Sequence, residues 1–456
     1  MAWLLAPLAA VCLLTLVRTF LTIVRRIPLN FNEGWNAYHT ADLVAGRPLY
    51  PELTGAFFNN YPPLSFYVVA PIGRALGDQM LAGRLLAFVS LVAWIALVIV
   101  CARRLRCSWT SAVFGGLVVA VSMFVFSSFH VGVNDPQIFG HALQMLGVVL
   151  MLRDRRTTMS LAVSAVLLAA GVFVKSNLIA LPIAVVVWLW LDDRSSAWRV
   201  MTFGTIAGVA GVAACLAMFG SPFAAHVLSP RAYLPAKAAL MSWQWCRRMI
   251  LPLAAVVWLA RRSPDDRGAR FVVICATASV VVGLLFAGGE GVFWNTMFDA
   301  DCALALAAAI AFDRTSNRVA VAAAFLAVPA LVVATSATLH WLSPRFWFDP
   351  RWSEAASAAA DVDFVRRHAG PALCEDMVLC YWADKPVEVD VFNTRQRARR
   401  ERWRVDALIR RLDAREFGVA EIEDDDRSLG PQFMDALRRN YRVDHSSQWG
   451  VFWVPR

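Results

Sequence analysis

The sequence predicts a mostly α-helical, polytopic membrane bundle of about eleven transmembrane helices with a small soluble α/β domain at its C-terminal end. Three observations predict it. Hydrophobic residues make up 58% of the chain and charged residues only 17%, with mean hydropathy +0.53, a composition that excludes an ordinary soluble enzyme. Apolar runs of membrane-spanning length recur from the N-terminus to about residue 340. Near residue 345 the character changes, with dense charges and short apolar runs. The chain therefore divides into a membrane domain, 1–344, which includes an outer loop at 25–79, and a C-terminal domain, 345–456.

The candidate spans lie near residues 3–24, 80–102, 110–129, 136–152, 158–174, 178–191, 200–219, 239–260, 271–287, 297–312 and 319–340. Between alternate helix ends stand five short basic loops, "RRLR" (103–106), "RDRR" (153–156), "DDRSSAWR" (192–199), "RRSPDDRGAR" (261–270) and "DRTSNR" (313–318), holding 14 Lys and Arg. The positive-inside rule places these loops in the cytoplasm. Arg25 and Arg26, just after the first helix, oppose this orientation but are outweighed by the sum. The chain then reads as a multi-pass membrane protein, with its N-terminus cytoplasmic and its C-terminal domain on the outer face. A cleavable signal at residues 1–24 is disfavoured, because no basic residue precedes the apolar run and no A-x-A site follows it.

Residues 1–344 carry 25 Lys and Arg against 14 Asp and Glu, whereas residues 345–456 carry 19 against 20. The basic excess belongs to the membrane part, where loop topology accounts for it without a nucleic-acid partner. In the outer loop, residues 36–46 predict a short amphipathic helix ending at Gly46. The Pro pair of "YPPLSFYVVAPIGRALG" opens a second helix, too short to span. The tail predicts helices in "SEAASAAADVDFVRRHAG" and "TRQRARRERWRVDALIRRLDAREFG", and strands in "PVEVDVF", "GVAEIE" and "WGVFWVPR". Cys374 and Cys380 both sit in the tail, where an oxidising outer compartment would permit a disulfide, although spacing alone leaves the pairing open.

Ionisable residues at a membrane boundary are costly and tend to mark function. Glu33 follows the first helix, Asp135 sits in the turn "HVGVNDPQ", and Lys175 with Asn177 sits in "FVKSN". Arg247 and Arg248 lie in "WQWCRRM". The predicted topology brings all of these to one outward-facing polar cavity, roofed by residues 32–71. Each has a plainer reading: Asp135 as a helix cap, and Lys175 and the Arg pair as interfacial side chains reaching for water. Glu290, Asp299 and Asp301 read as ordinary loop charges. His130, His141 and Tyr61 are candidate lining groups. A transporter or a non-catalytic envelope protein remains the alternative, although no internal repeat supports transport.

The succession of helix, acid-bearing outer loop, "NNYPPL" and "LAGRLLA" resembles the GT-C superfamily of membrane glycosyltransferases, in the branch of bacterial aminoarabinose transferases and protein O-mannosyltransferases. "NEGWNAY" looks like that branch's Asp-Glu motif, with Asn32 where an Asp is usual, and "FVKSN" is similar to its Lys-bearing helix end. The resemblance implies an inverting transfer of a sugar from a polyprenyl-phosphate donor to a lipid, glycan or protein acceptor. On that reading Glu33 is the base and Asp135 orients the acceptor, or the two carboxylates together hold Mg or Mn. Lys175, Arg247, Arg248 and Arg84 would stabilise the leaving phosphate, and Asn32, Asn60, Tyr61, His130 and Asn177 would line the cavity.

Overall fold

The computed structural model of the protein describes residues 2–52, 55, 57–229, 231–335, 344, 347, 351–398, 403–425 and 429–456. The membrane part begins with α1 (Ala2–Ile23), the two outer-loop helices α2 (Asn32–Val44) and α3 (Leu64–Leu76), then α4 (Gln79–Arg104) and α5 (Trp109–Phe126). It continues through α6 (Gln137–Met151), α7 (Thr158–Val174), α8 (Ala180–Asp192), α9 (Arg194–Phe219), α10 (Ser221–Val227), α11 (Pro235–Arg248) and α12 (Ile250–Arg262). It closes with α13 (Arg267–Phe286), α14 (Phe298–Arg314) and α15 (Arg318–Thr335). Seven described helices are long and apolar enough to cross a bilayer, and α3, α6, α7 and α8 are shorter apolar helices. The last candidate span, 319–340, lies partly outside the described residues.

Helix starts follow local chemistry. Asp78, Ser108, Asp193 and Asp266 each cap the helix that follows them by accepting free backbone N–H groups. The basic loops gather at one end of the bundle, tied by Arg156 and Arg267 to Asp192 and by Arg314 to Asp266. At the opposite end lie α2, α3, the turn 127–135 and the loop 287–297. That two-ended arrangement is the one the alternating loop charges predict.

The span expected at 239–260 is not one helix. It breaks at Met249, because the ring of Pro252 crowds the carbonyl four residues earlier and cannot donate to it, so α11 stops at Arg248. The core is continuous: α14 is buried on nearly every side between α5 and α13, and its Ala-rich sequence lets the neighbouring backbones approach closely.

The tail holds α16 (Trp352–Arg367), β1 (Ala372–Cys374), α17 (Met377–Trp382), α18 (Val391–Ala398), α19 (Trp403–Asp413), β2 (Val419–Glu421), α20 (Pro431–Asn440), β3 (Tyr441–Ser447) and β4 (Gly450–Pro455). The strands form one mixed sheet in the order β1-β2-β4-β3, with β1 and β2 parallel and the other pairs antiparallel. Cys374 and Cys380 form a disulfide between β1 and α17. "PVEVDVF" is not a strand. It joins no strand of the sheet, and the Asp390 side chain accepts the N–H of Asn393 at the start of α18. Val389 and Val391 still point into the tail core.

Glu421 is buried in β2, where its carboxyl accepts the N–H of Asp376. Burial, reinforced by the Asp376 charge, pushes its pKa well above the ordinary range. Because the folded-state value exceeds the unfolded one, tail stability is greatest below about pH 4.3, the unperturbed Glu value, and declines as pH rises toward the folded value. Glu421→Gln keeps an acceptor for Asp376 and removes the titration. Thermal unfolding of the full-length protein should show its Tm several degrees above wild type at pH 8 and level with it at pH 4; equal Tm values at both pH values would contradict this.

Candidate active site

The first turn of α2 sends two neighbouring side chains to different surroundings. Asn32 faces a crevice at the outer end of the bundle, whereas Glu33 turns inward with no solvent exposure. Its Oε1 accepts from Arg84 Nε at 2.7 Å and from the N–H of Asn134 at 2.8 Å. Its Oε2 accepts from Arg84 Nη2 at 2.7 Å and from the N–H groups of Leu29 and Asn30 at 3.0 and 3.3 Å. Arg84 in turn donates to the carbonyls of Arg25 and Ile27. The pair is a fork-to-fork joint holding the end of α1, the start of α2, α4 and the turn before α6 together.

This geometry corrects three expectations. Glu33 has no lone pair left for a substrate proton, so it is not the base. Arg84 is committed to Glu33 and to backbone carbonyls, so it is not a phosphate ligand. Glu33 and Asp135 do not fit a divalent cation, because each already lies against a buried cationic side chain, and among the described residues no group of three or more His, Cys, Asp or Glu is placed to hold one.

Asp135 and Lys175 do meet. Lys175 Nζ, at the end of α7, lies 3.0 Å from both Asp135 oxygens, and both residues are buried. Asp135 also accepts the N–H of Gln137, so its capping and pairing roles coexist. Lys175 is therefore not an interfacial side chain reaching for water. Its ammonium sits 4.7 Å from the ring centre of Tyr61, which lines the crevice on its other side. His130 is buried beside this pair against Phe298, and burial lowers its pKa to about 4, leaving it neutral at pH 7. Asn60 lines the crevice, while Asn177 is half-buried in the turn after α7 and is not among the lining residues.

The roof is built from α2 and residues 57–61. Trp35 packs edge-on against Tyr61, and His39 stacks on Phe57 while bonding the Phe58 carbonyl. His226 of α10 fixes the same loop from outside, bonding the N–H of Asn59 and the carbonyl of Pro51. The tail covers it: Arg404 donates to the Gly55 carbonyl, Tyr38 donates to the Lys385 carbonyl, and Trp35 Nε1 donates to Asp390.

From Asn32 and Tyr61 the crevice opens toward a cavity of about 590 Å³ between the membrane part and the tail; Phe31, Gly291, Glu375 and Phe392 line both. The cavity is walled by Phe293, Trp294 and Trp449 together with Lys237, Asp376 and Glu421. Burial raises the Asp376 pKa to about 7. Arg231 lines the crevice and is exposed, with no hydrogen-bond or ion-pair partner among the described residues. Arg248 stacks on Phe126 and on Trp294 of the cavity wall, and Arg247 is exposed beside it.

Sequence reasoning missed Trp35, Arg231, Glu375 and Asp390 as lining groups. Trp35 stood within the singled-out "NEGWNAY", but nothing local distinguishes Asp390 among the 20 acids of the tail. Asp299 and Asp301 are not loop charges. They occupy the first turn of α14, where Asp299 pairs with His141 at 3.0 Å and Asp301 accepts from the Trp245 indole.

This bundle, with its loop-roofed outer crevice and appended α/β tail, has the fold of ArnT, a solved structure that it matches from end to end. The model of glycosyltransferase family 87 matches residues 58–221. The crystal structure of ArnT from Cupriavidus metallidurans bound to undecaprenyl phosphate superposes with TM-score 0.64 and 16% identity, covering 99% of this chain and 98% of that one. The apo form of ArnT superposes with TM-score 0.65 and 16% identity, over 98% and 97%. The apo oligosaccharyltransferase of Archaeoglobus fulgidus gives TM-score 0.54 and 10% identity, over all of this chain and 74% of that one. No curated protein matches the chain by sequence.

Proposed function

We propose that this protein is a membrane glycosyltransferase of a bacterial inner membrane. It takes a sugar from a polyprenyl-phosphate donor and transfers it, with inversion, to a lipid, glycan or protein acceptor on the periplasmic side. The observation carrying this reading is the end-to-end likeness to ArnT, whose structure holds undecaprenyl phosphate; the archaeal oligosaccharyltransferase AglB is likewise solved with a dolichol-phosphate. The family-model match supports the same chemistry.

In this reading the donor phosphate meets cations of the segment between α10 and α12. Arg231, Arg247 and Arg248 have no carboxylate partners among the described residues, so their charge is available to a phosphate that gains negative charge as the sugar leaves. Lys175, neutralised by Asp135, instead holds the Tyr61 wall in place. Arg231→Ala should weaken binding of undecaprenyl phosphate to the purified protein about tenfold, equivalent to ~1.4 kcal/mol, with Tm unchanged; unaltered affinity would remove Arg231 from the phosphate site. Sugar transfer itself is tested by incubating the full-length protein with polyprenyl-phosphate-linked sugars and an envelope extract. A labelled product is expected, and none from any donor would refute the reading.

A further inference from the structure

We propose that Asp390, supplied by the C-terminal domain, is the general base of the transfer. This assignment rests on the sugar-transfer reading above. Among the described residues that line the crevice, the carboxylates are Asp390 and Glu375, and both come from the tail. The carboxylates of the membrane part are otherwise engaged: Glu33 accepts five hydrogen bonds, and Asp135 lies in a two-oxygen ion pair with Lys175.

Asp390 is held differently. Its Oδ2 accepts from Trp35 Nε1 at 3.0 Å and from Asn393 Nδ2 at 2.6 Å, and its Oδ1 accepts from the N–H of Asn393 at 2.9 Å. A carboxylate has roughly four acceptor positions, so these three bonds fix its orientation and leave one position on Oδ1 for a substrate hydroxyl. All three donors are neutral, so the carboxylate is oriented without the buried cationic partner that Glu33 has in Arg84 and Asp135 has in Lys175. Burial raises the Asp390 pKa to about 6, close to where a general base works best at neutral pH. Arg231 and Glu375 are the charged groups lining the crevice with it.

The step balances as follows. The acceptor O–H proton passes to Asp390 Oδ1 while the acceptor oxygen forms a bond to the anomeric carbon. The bond from that carbon to the phosphate oxygen breaks, and its electron pair leaves with the polyprenyl phosphate. The proton is later lost to water.

The test uses the full-length protein in lipid nanodiscs. Asp390→Asn isolates the charge, because Asn caps a helix as well as Asp does. It should lower transfer at least about 100-fold, the low end for a lost general base, with Tm and affinity for undecaprenyl phosphate unchanged. The wild-type rate should rise as pH passes about 6. Adding Asn32→Asp to Asp390→Asn places a carboxylate in the same crevice and should recover at least about tenfold of the loss.

Transfer by Asp390→Asn within about fivefold of wild type would overturn the assignment. So would a loss of transfer matched by a loss of Tm or lipid affinity, or a double variant no better than the single one. Each of these leaves sugar transfer standing. A wild-type protein that transfers nothing removes both the function and the base.

Discussion

Glu33→Ala should cripple folding rather than merely slow catalysis. It leaves the Arg84 guanidinium charged, buried at 1% exposure and stripped of its counter-ion, the situation that typically costs about 3–5 kcal/mol. The N–H groups of Leu29, Asn30 and Asn134 lose their acceptor at the same time. Membrane insertion can proceed, but the end of α1, the start of α2, and α4 lose the joint that fixes their spacing. The expected result is a sharp fall in monodisperse yield from detergent and a Tm lowered by ten degrees or more. The partner change should partly repair it, because Glu33→Gln with Arg84→Met removes both charges together. A single Glu33→Ala protein with wild-type Tm and lost sugar transfer would restore Glu33 as a chemical residue and overturn the structural assignment.

The second large effect concerns Gly34, one residue on. A Cβ at this position would lie 2.4 Å from the backbone carbon of Met377 and 2.4 Å from the backbone nitrogen of Val378. These are main-chain atoms at the start of α17, so no side-chain rotation relieves the clash. Gly34→Ala should therefore push the tail away from α2, and Gly34→Val should push it farther. Trp35 and Tyr38 share a buried cluster with Met377, Val378 and Leu379 and would lose that packing. The cost is that of overpacking, about 1–3 kcal/mol or somewhat more where only backbone can yield. Hydrogen exchange is the direct measurement. Amides of α17 and of residues 57–61 should exchange faster in Gly34→Ala, while those of α5 and α14 stay protected. Unchanged protection in α17 would mean that the close approach is not what seats the tail.

Both effects concern contacts between residues far apart along the chain, which is also where sequence reading stopped. Periodicity and length located nearly every helix: 158–174 is α7 as expected, and the short helix closing near Gly46 is α2. The strands at 419–421 and 450–455 were legible as short runs rich in Val, Ile and aromatic residues. "PVEVDVF" alternates more strictly, yet it pairs with none of the described strands. The break at Met249 is caused by Pro252, a signal present in the sequence that the apolar composition of 239–260 overshadowed.

At the site, the sequence placed the polar groups in one outward-facing cavity; Asp135 does meet Lys175, but both are buried, as is Glu33 against Arg84, and none of the three lines the crevice that Asn32 faces. Their roles could not be read in the same way. Adjacent positions in the first turn of a helix point about 100° apart, so Asn32 and Glu33 part company, and only the position of Arg84, 51 residues later, decides which one turns inward. Asp390 was invisible for a related reason. Its carboxylate meets the Trp35 indole, 355 residues away along the chain.

The sequence by itself determined what local and additive physics controls: a helical bundle of membrane-spanning composition, its two charge-marked ends and the helical roof of its first outer loop. Hydropathy and periodicity sum along neighbouring residues and need no knowledge of partners. The tertiary structure alone decided which carboxylate is locked to a guanidinium and which faces the crevice. A buried acid's availability depends on the donors that surround it in space, and for Glu33, Asp135 and Asp390 one such donor, Arg84, Lys175 and Trp35 respectively, comes from a distant part of the chain.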